Sequence, residues 1–145
     1  MPYRNPIHAS SVLIDGRVVL IAGRSGRGKS DLALRLIDRG ALLVADDYTR
    51  LEARDGTLFA SPPAKIAGKL EVRGVGIVDL AFLAEGPVAL LVDLDGTVER
   101  MPDDPIATTA LEGISVPTVA LSAFEASAPI KVETALRRHG PGGPS

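Results

Sequence analysis

Eight consecutive residues, Gly23-Arg24-Ser25-Gly26-Arg27-Gly28-Lys29-Ser30, match G-x-x-x-x-G-K-[ST] at every fixed position. The chemistry of that spacing is phosphate binding. Glycines let backbone N–H groups converge on phosphate oxygens, and a helix beginning at the loop adds partial positive charge. Lys29 reaches the β/γ-phosphates, and the Ser30 hydroxyl can ligate a divalent cation. Such a loop also needs a carboxylate near the metal, and two apolar runs end in candidates: Ala41-Leu-Leu-Val-Ala-Asp46-Asp47 and Ala89-Leu-Leu-Val-Asp93-Leu-Asp95. The first follows the phosphate loop and its helix directly. A right-handed crossover would bring its carboxyl end to the same sheet edge as the phosphates, so Asp46 and Asp47 are preferred. Asp95-Gly96 reads as a tight turn, with Asp93 a polar strand end. Asp93-Leu-Asp-Gly96 also spells the D-x-x-G of GTPases, but no Asn-Lys-x-Asp accompanies it, and the match is set aside as coincidence.

Two further groups could join this site. If Asp15-Gly16 is a two-residue hairpin turn, Ile14 pairs with Arg17, and the same register sets His8 opposite Gly23, within reach of a phosphate or a proton. Glu71 and Arg73 alternate onto one face if their segment is extended, and the glycines at 74 and 76 permit close backbone approach. An acid and a base on one face suit a magnesium ion and a phosphate; a surface ion pair is the plainer reading. His139, at the end of a predicted helix, reads as a dipole or surface residue.

The elements that must position these residues are short, because Pro and Gly punctuate the chain heavily. Ala9 to Ile14 and Arg17 to Ala22 are β-rich runs about Asp15-Gly16, which predicts an antiparallel hairpin. Leu32, Ala33, Leu36 and Ile37 recur at helical spacing after Gly28, with Gly40 placed as the stop, which predicts a helix of about three turns. Ala41 to Ala45 reads as a buried strand. A second hairpin joins Thr49 to Ala53 with Thr57 to Ala60 about Asp55-Gly56, and Pro62-Pro63 ends it. Val75 to Phe82, Val88 to Leu94 and Val116 to Leu121 are strand candidates. Pro129 to His139 reads as a helix with Ser127 as N-cap and Arg137, Arg138 and His139 at the negative end of its dipole.

Composition bounds what such a site can serve. The chain has 145 residues, 46% hydrophobic and 23% charged, which suits one folded domain with a single core. Its apolar runs are far shorter than the roughly 20 residues of a membrane helix, and its start lacks a signal-peptide pattern. No membrane partner is expected. With no cysteine, there is no disulfide, zinc–thiolate site or catalytic thiol, and a cytoplasmic setting fits. A net charge of −2 and five aromatic residues give no footprint for nucleic acid.

Taken together, these residues resemble the bacterial HPr kinase/phosphorylase family. The likeness is carried by His8, by the phosphate loop and its helix, by Arg39-Gly-Ala-Leu-Leu-Val-Ala-Asp46-Asp47, and by Leu70-Glu-Val-Arg-Gly-Val-Gly-Ile-Val-Asp79. It implies an α/β fold: a single P-loop kinase-like domain with a mixed β-sheet, of the HPr kinase C-terminal type. The activity implied is ATP- and Mg²⁺-dependent phosphorylation of a serine on an HPr-like phosphocarrier protein of a phosphotransferase system, with removal by inorganic phosphate as the reverse. By the resemblance, Asp47 matches the proton acceptor and Asp46 assists it. Lys29 and His8 match active-site positions, Ser30 and Glu71 match metal ligands, and Arg73 belongs to the signature segment. Family members are hexameric, so a homo-oligomer is implied.

The resemblance departs after Asp79. The family segment Pro-Val-Arg-Pro-Gly-Arg-Asn has no counterpart; Ala128-Pro-Ile-Lys131-Val stands roughly in its place, and Arg100 is the plausible match for an expected arginine. The phosphorylase direction is therefore the less supported half. Two other readings remain open from the residues: a small-molecule P-loop kinase, or a non-catalytic nucleotide-sensing signalling module. Residues 1–139 are expected to form the catalytic domain, short of a regulatory domain, with 140–145 a disordered tail.

Overall fold

The computed structural model describes residues 3–141; of the expected tail, 142–145 lie outside them. The chain opens with a hairpin, β1 (Ala9–Ile14) and β2 (Arg17–Ala22), paired in register from Ile14 with Arg17 to Ala9 with Ala22. This is the register that an Asp-Gly two-residue turn dictates. Helix α1 (Lys29–Asp38) follows the phosphate loop and stops where expected. Gly40 N–H donates to the Ile37 carbonyl and Ala41 N–H to that of Leu36, the paired bonds of a Schellman ending. Leu32, Ala33 and Leu36 are fully buried, each leucine contributing roughly 1.5–3 kcal/mol.

Strand β3 (Leu42–Ala45) returns to the sheet on the far side of β1. The second expected hairpin forms as β4 (Arg50–Arg54) and β5 (Thr57–Ser61). A separate two-stranded hairpin follows, β6 (Lys69–Val72) and β7 (Gly76–Asp79). Then come β8 (Gly86–Asp93), β9 (Thr108–Leu111), β10 (Ile114–Ala120) and α2 (Ala128–His139). The main sheet has the order β3-β1-β2-β8-β10-β9, with β5 joining β8 at Gly86 and Pro87. It is a mixed sheet: β2, β8 and β10 pair in parallel, while β1 is antiparallel to both β2 and β3.

The apolar residues sort themselves by strand alternation. Val19, Ile21, Leu90 and Val92 face one core with Leu32, Leu36, Val132 and Leu136 of the helices. Val18, Leu20, Ala22 and Leu91 face the other, covered by Leu51, Leu58 and Ala60 of the β4–β5 hairpin. Both faces of β2 are therefore buried, which is why its sequence is apolar almost without a break.

Several expected details differ. Arg73 and Val75 lie in the turn between β6 and β7, so Glu71 and Arg73 do not share a strand face. Asp95-Gly96 is no hairpin turn, because β8 feeds parallel neighbours and Gly96 is not in the left-handed region. The tight turn in this part of the chain is Glu112-Gly113, joining β9 to β10. Ser127 precedes α2 without a capping hydrogen bond from its side chain. No helix among the described residues is long and apolar enough to cross a membrane.

Candidate active site

The direction of the strands collects the functional residues at one sheet edge. β3, β2, β8 and β10 run the same way, so their carboxyl ends deliver Asp46, Gly23, Asp95 and Phe124 to that edge; β1 runs oppositely, so its beginning delivers His8 there.

The phosphate loop is closed on itself. Arg27 N–H donates to the Arg24 carbonyl at 3.1 Å, and the Gly28 carbonyl accepts from Leu32 N–H at 2.9 Å, starting α1. Gly28 has φ 91°, and a methyl group there would come within 3.0 Å of the Ala123 Cβ, so both conformation and space require glycine. Lys29 is only 6% exposed, with Nζ 3.4 Å from the Arg24 carbonyl oxygen. It lies back over the loop, where an anion would meet it.

Asp95, read from sequence as a turn residue, holds this loop from the β8 side. Its Oδ2 accepts Arg24 N–H at 3.0 Å, and Oδ1 meets Arg24 Nε at 3.3 Å and Arg27 Nε at 3.1 Å. Burial pushes the neighbouring Tyr3 phenol above its ordinary range, and the charges of Asp93 and Asp95 push it the same way.

Asp46 is the junction on the β3 side. It is buried, and its Oδ1 accepts the hydroxyls of Ser30 at 2.6 Å and Ser10 at 2.8 Å, while Oδ2 accepts Glu71 N–H at 3.0 Å. One carboxylate thus ties together β1, the phosphate loop and the β6–β7 hairpin. Ser10 was not singled out from sequence, although a serine in the buried strand Ala-Ser-Ser-Val-Leu-Ile signals a required hydrogen-bond partner. Its hydroxyl also accepts Asp47 N–H at 3.1 Å.

Asp47 turns outward, with φ 67° and a side chain 55% exposed. His8 Nε2 lies 2.8 Å from its Oδ1, and the imidazole stacks on Tyr48 with ring centroids 5.0 Å apart. His8 is therefore at the site edge, as its register implied, but its partner is Asp47 rather than the loop glycine.

The structure thus brings together His8, Gly23 to Ser30, Asp46, Asp47 and the backbone of Glu71. It does not bring in Arg73: in its turn, no hydrogen bond or ion pair among the described residues joins it to the cluster about Asp46. Among the described residues no three His, Asp or Glu side chains gather at metal-binding geometry. The oxygen set Ser30 and Asp46, with Glu71 beside it, suits magnesium, which binds one or two protein oxygens and takes the rest from phosphates and water. A cavity of about 540 Å³ lies elsewhere, between α2 and the 97–107 loop, lined by Asp93, Arg100, Leu121, Ile130 and Lys131 among others.

Comparison with known proteins gives a consistent result. A family model described as the HPr serine kinase C-terminal domain matches residues 1–85. The HPr kinase/phosphorylase of Clostridium botulinum is 47% identical over 77 residues, 53% of this chain and 25% of that protein. That of Limosilactobacillus reuteri is 35% identical over 130 residues, 81% of this chain and 41% of that protein. The chain therefore spans well under half the length of these curated relatives. Among solved structures, the Hpr(Ser) kinase/phosphatase from Coxiella burnetii is 35% identical and superimposes with a TM-score of 0.78, covering 91% of this chain and 93% of that one.

Proposed function

The chain belongs to the HPr serine kinase C-terminal domain family, and we propose that it transfers the γ-phosphoryl group of ATP to a serine hydroxyl on an HPr-like phosphocarrier protein. The observation that carries this reading is the pairing of His8 Nε2 with Asp47 Oδ1 at 2.8 Å, beside a phosphate loop whose Ser30 is bound to Asp46. The names of the relatives supply the carrier as substrate.

In this reading Asp47 is the general base. Its carboxylate takes the proton from the serine hydroxyl as that oxygen bonds to the γ-phosphorus and the bond to the β-phosphate oxygen breaks. His8, with Nε2 2.8 Å from Asp47 Oδ1, orients the carboxylate toward the incoming hydroxyl. Asp46 stays an acceptor throughout, fixing Ser30 and the backbone at Glu71. Lys29 neutralises charge at the phosphates, since transfer of this kind depends chiefly on positioning and charge stabilisation. Magnesium, which Ser30, Asp46 and Glu71 would hold, would supply further charge neutralisation at the β- and γ-phosphates.

The open setting of Asp47 suits a protein substrate. Tyr48 beside it is exposed, and so are Val75 and Ile77 on the β6–β7 hairpin. The 540 Å³ cavity, which a small-molecule kinase would place at its base, is lined by neither Asp46, Asp47 nor His8.

The test is to incubate the protein with Mg-ATP and a purified HPr-type carrier and to follow the carrier by mass. A phosphate-sized gain on a serine is expected. Absence of any gain despite measurable ATP binding would remove the reading. Adding inorganic phosphate to the phosphorylated carrier reports the reverse direction, and a mass measurement in solution tests the hexamer.

A further inference from the structure

The strand order fixes a direction across the phosphate loop. Asp46, Asp47 and His8 stand on the β3–β1 flank of β2, whereas residues 93–97 and 121–125 follow β8 and β10 on the opposite flank. For transfer to a hydroxyl held by Asp47, the γ-phosphate must face the first flank. The nucleoside, at the other end of the polyphosphate, then leaves toward the second.

Phe124 stands on that flank. The residue is 72% exposed, yet it abuts the loop: a methyl group at Gly28 would lie 3.4 Å from its Cε1 and 3.7 Å from its Cζ. The segment that carries it is pinned. Arg35 donates to the carbonyl oxygens on both sides of Phe124, those of Ala123 and Glu125, and Arg35 is itself paired with Asp31 at 3.0 Å. The helix whose first residues are Lys29 and Ser30 therefore also holds the backbone on either side of the ring. An aromatic ring left in water on a backbone held in place, at the nucleoside end of a phosphate site, has the properties of a stacking surface.

We propose that Phe124 is the platform on which the nucleobase of the bound nucleoside triphosphate stacks, a role that rests on the phosphate-loop reading. Stacking uses the face that every base presents, so the platform adds affinity without choosing between adenine and guanine.

The test compares ATP with inorganic tripolyphosphate, which has the phosphates and no base, by calorimetry on the full chain. Phe124→Ala should weaken ATP and GTP alike by about tenfold and leave tripolyphosphate unchanged. The chain contains no tryptophan, so Phe124→Trp installs a single indole whose fluorescence should respond to ATP and not to tripolyphosphate. Unchanged ATP affinity in Phe124→Ala, equal loss for ATP and tripolyphosphate, or an indole unmoved at saturating ATP would each overturn the platform. So would a defect confined to the KM for the carrier, which assigns the ring to protein docking. A wild-type chain that binds neither ligand would overturn the phosphate-loop reading itself, and the platform with it.

Discussion

The Ser30 hydroxyl lies 2.6 Å from Asp46 Oδ1, joining the last residue of the phosphate loop to the first residue beyond β3. The same carboxylate serves Ser10 and the Glu71 backbone. Asp46→Ala would leave one buried and two partly buried donors without an acceptor, and is expected to lower stability by about 2–3 kcal/mol in a urea titration. Asp46→Asn, which keeps one acceptor oxygen, is expected to lose less.

Asp47 makes the contrasting prediction. Its side chain is exposed and its φ of 67° is one that asparagine tolerates, so Asp47→Asn should melt within about a degree or two of the wild type. Transfer to the carrier should fall at least about a hundredfold, with ATP affinity retained. Retained transfer would show that another group takes the proton.

The loop glycines at 26 and 28 separate conformation from space. Both have positive φ, but a methyl group at Gly26 meets nothing within 4 Å, whereas one at Gly28 collides with Ala123 and reaches Phe124. Gly26→Ala is expected to cost about 1–2 kcal/mol from backbone strain alone. Gly28→Ala should cost more by thermal or chemical melting, because the 121–125 segment must also move.

Asp95 offers a test of preorganisation. Asp95→Ala removes the acceptor for Arg24 N–H and should weaken nucleotide binding about fivefold, the equivalent of one hydrogen bond of about 1 kcal/mol. Asp95→Asn keeps an acceptor oxygen and removes a negative charge from beside the phosphates, so its affinity should equal or exceed that of the wild type. Equal loss in both variants would mean that the carboxylate acts through its charge on Arg24 and Arg27.

Local chemistry made the first half of the fold legible. Asp15-Gly16 and Asp55-Gly56 both adopt the positive φ that their types favour, and the registers follow from the turns. Glu112-Gly113 was missed because glutamate rarely takes that conformation; here the β9–β10 pairing imposes it. Asp95-Gly96 misled for the opposite reason: the pair is a good turn by type, but the chain leaves β8 in a crossover to a parallel neighbour. In the site, the phosphate loop and the Asp46-Asp47 edge were readable because motif and topology agree. The bonds from Asp46 to Ser10 and to the Glu71 backbone depend on how distant segments meet, and no spacing in the sequence encodes that. Arg73 was misplaced because its strand ends one residue earlier than the alternating pattern suggests.

The phosphate loop is completed by residues far later in the chain. Asp95 lies 71 positions beyond Arg24, and the Ala123 carbonyl 88 beyond Arg35. During synthesis at about 5–20 residues per second, Gly23 to Ser30 would emerge on the order of ten seconds before the segments that brace them. For that interval the nascent chain carries an unsupported loop and an α1 lacking the apolar cover of α2. Nucleotide then cannot template the early folding of this protein. It can only lock a structure that later-made residues have already closed.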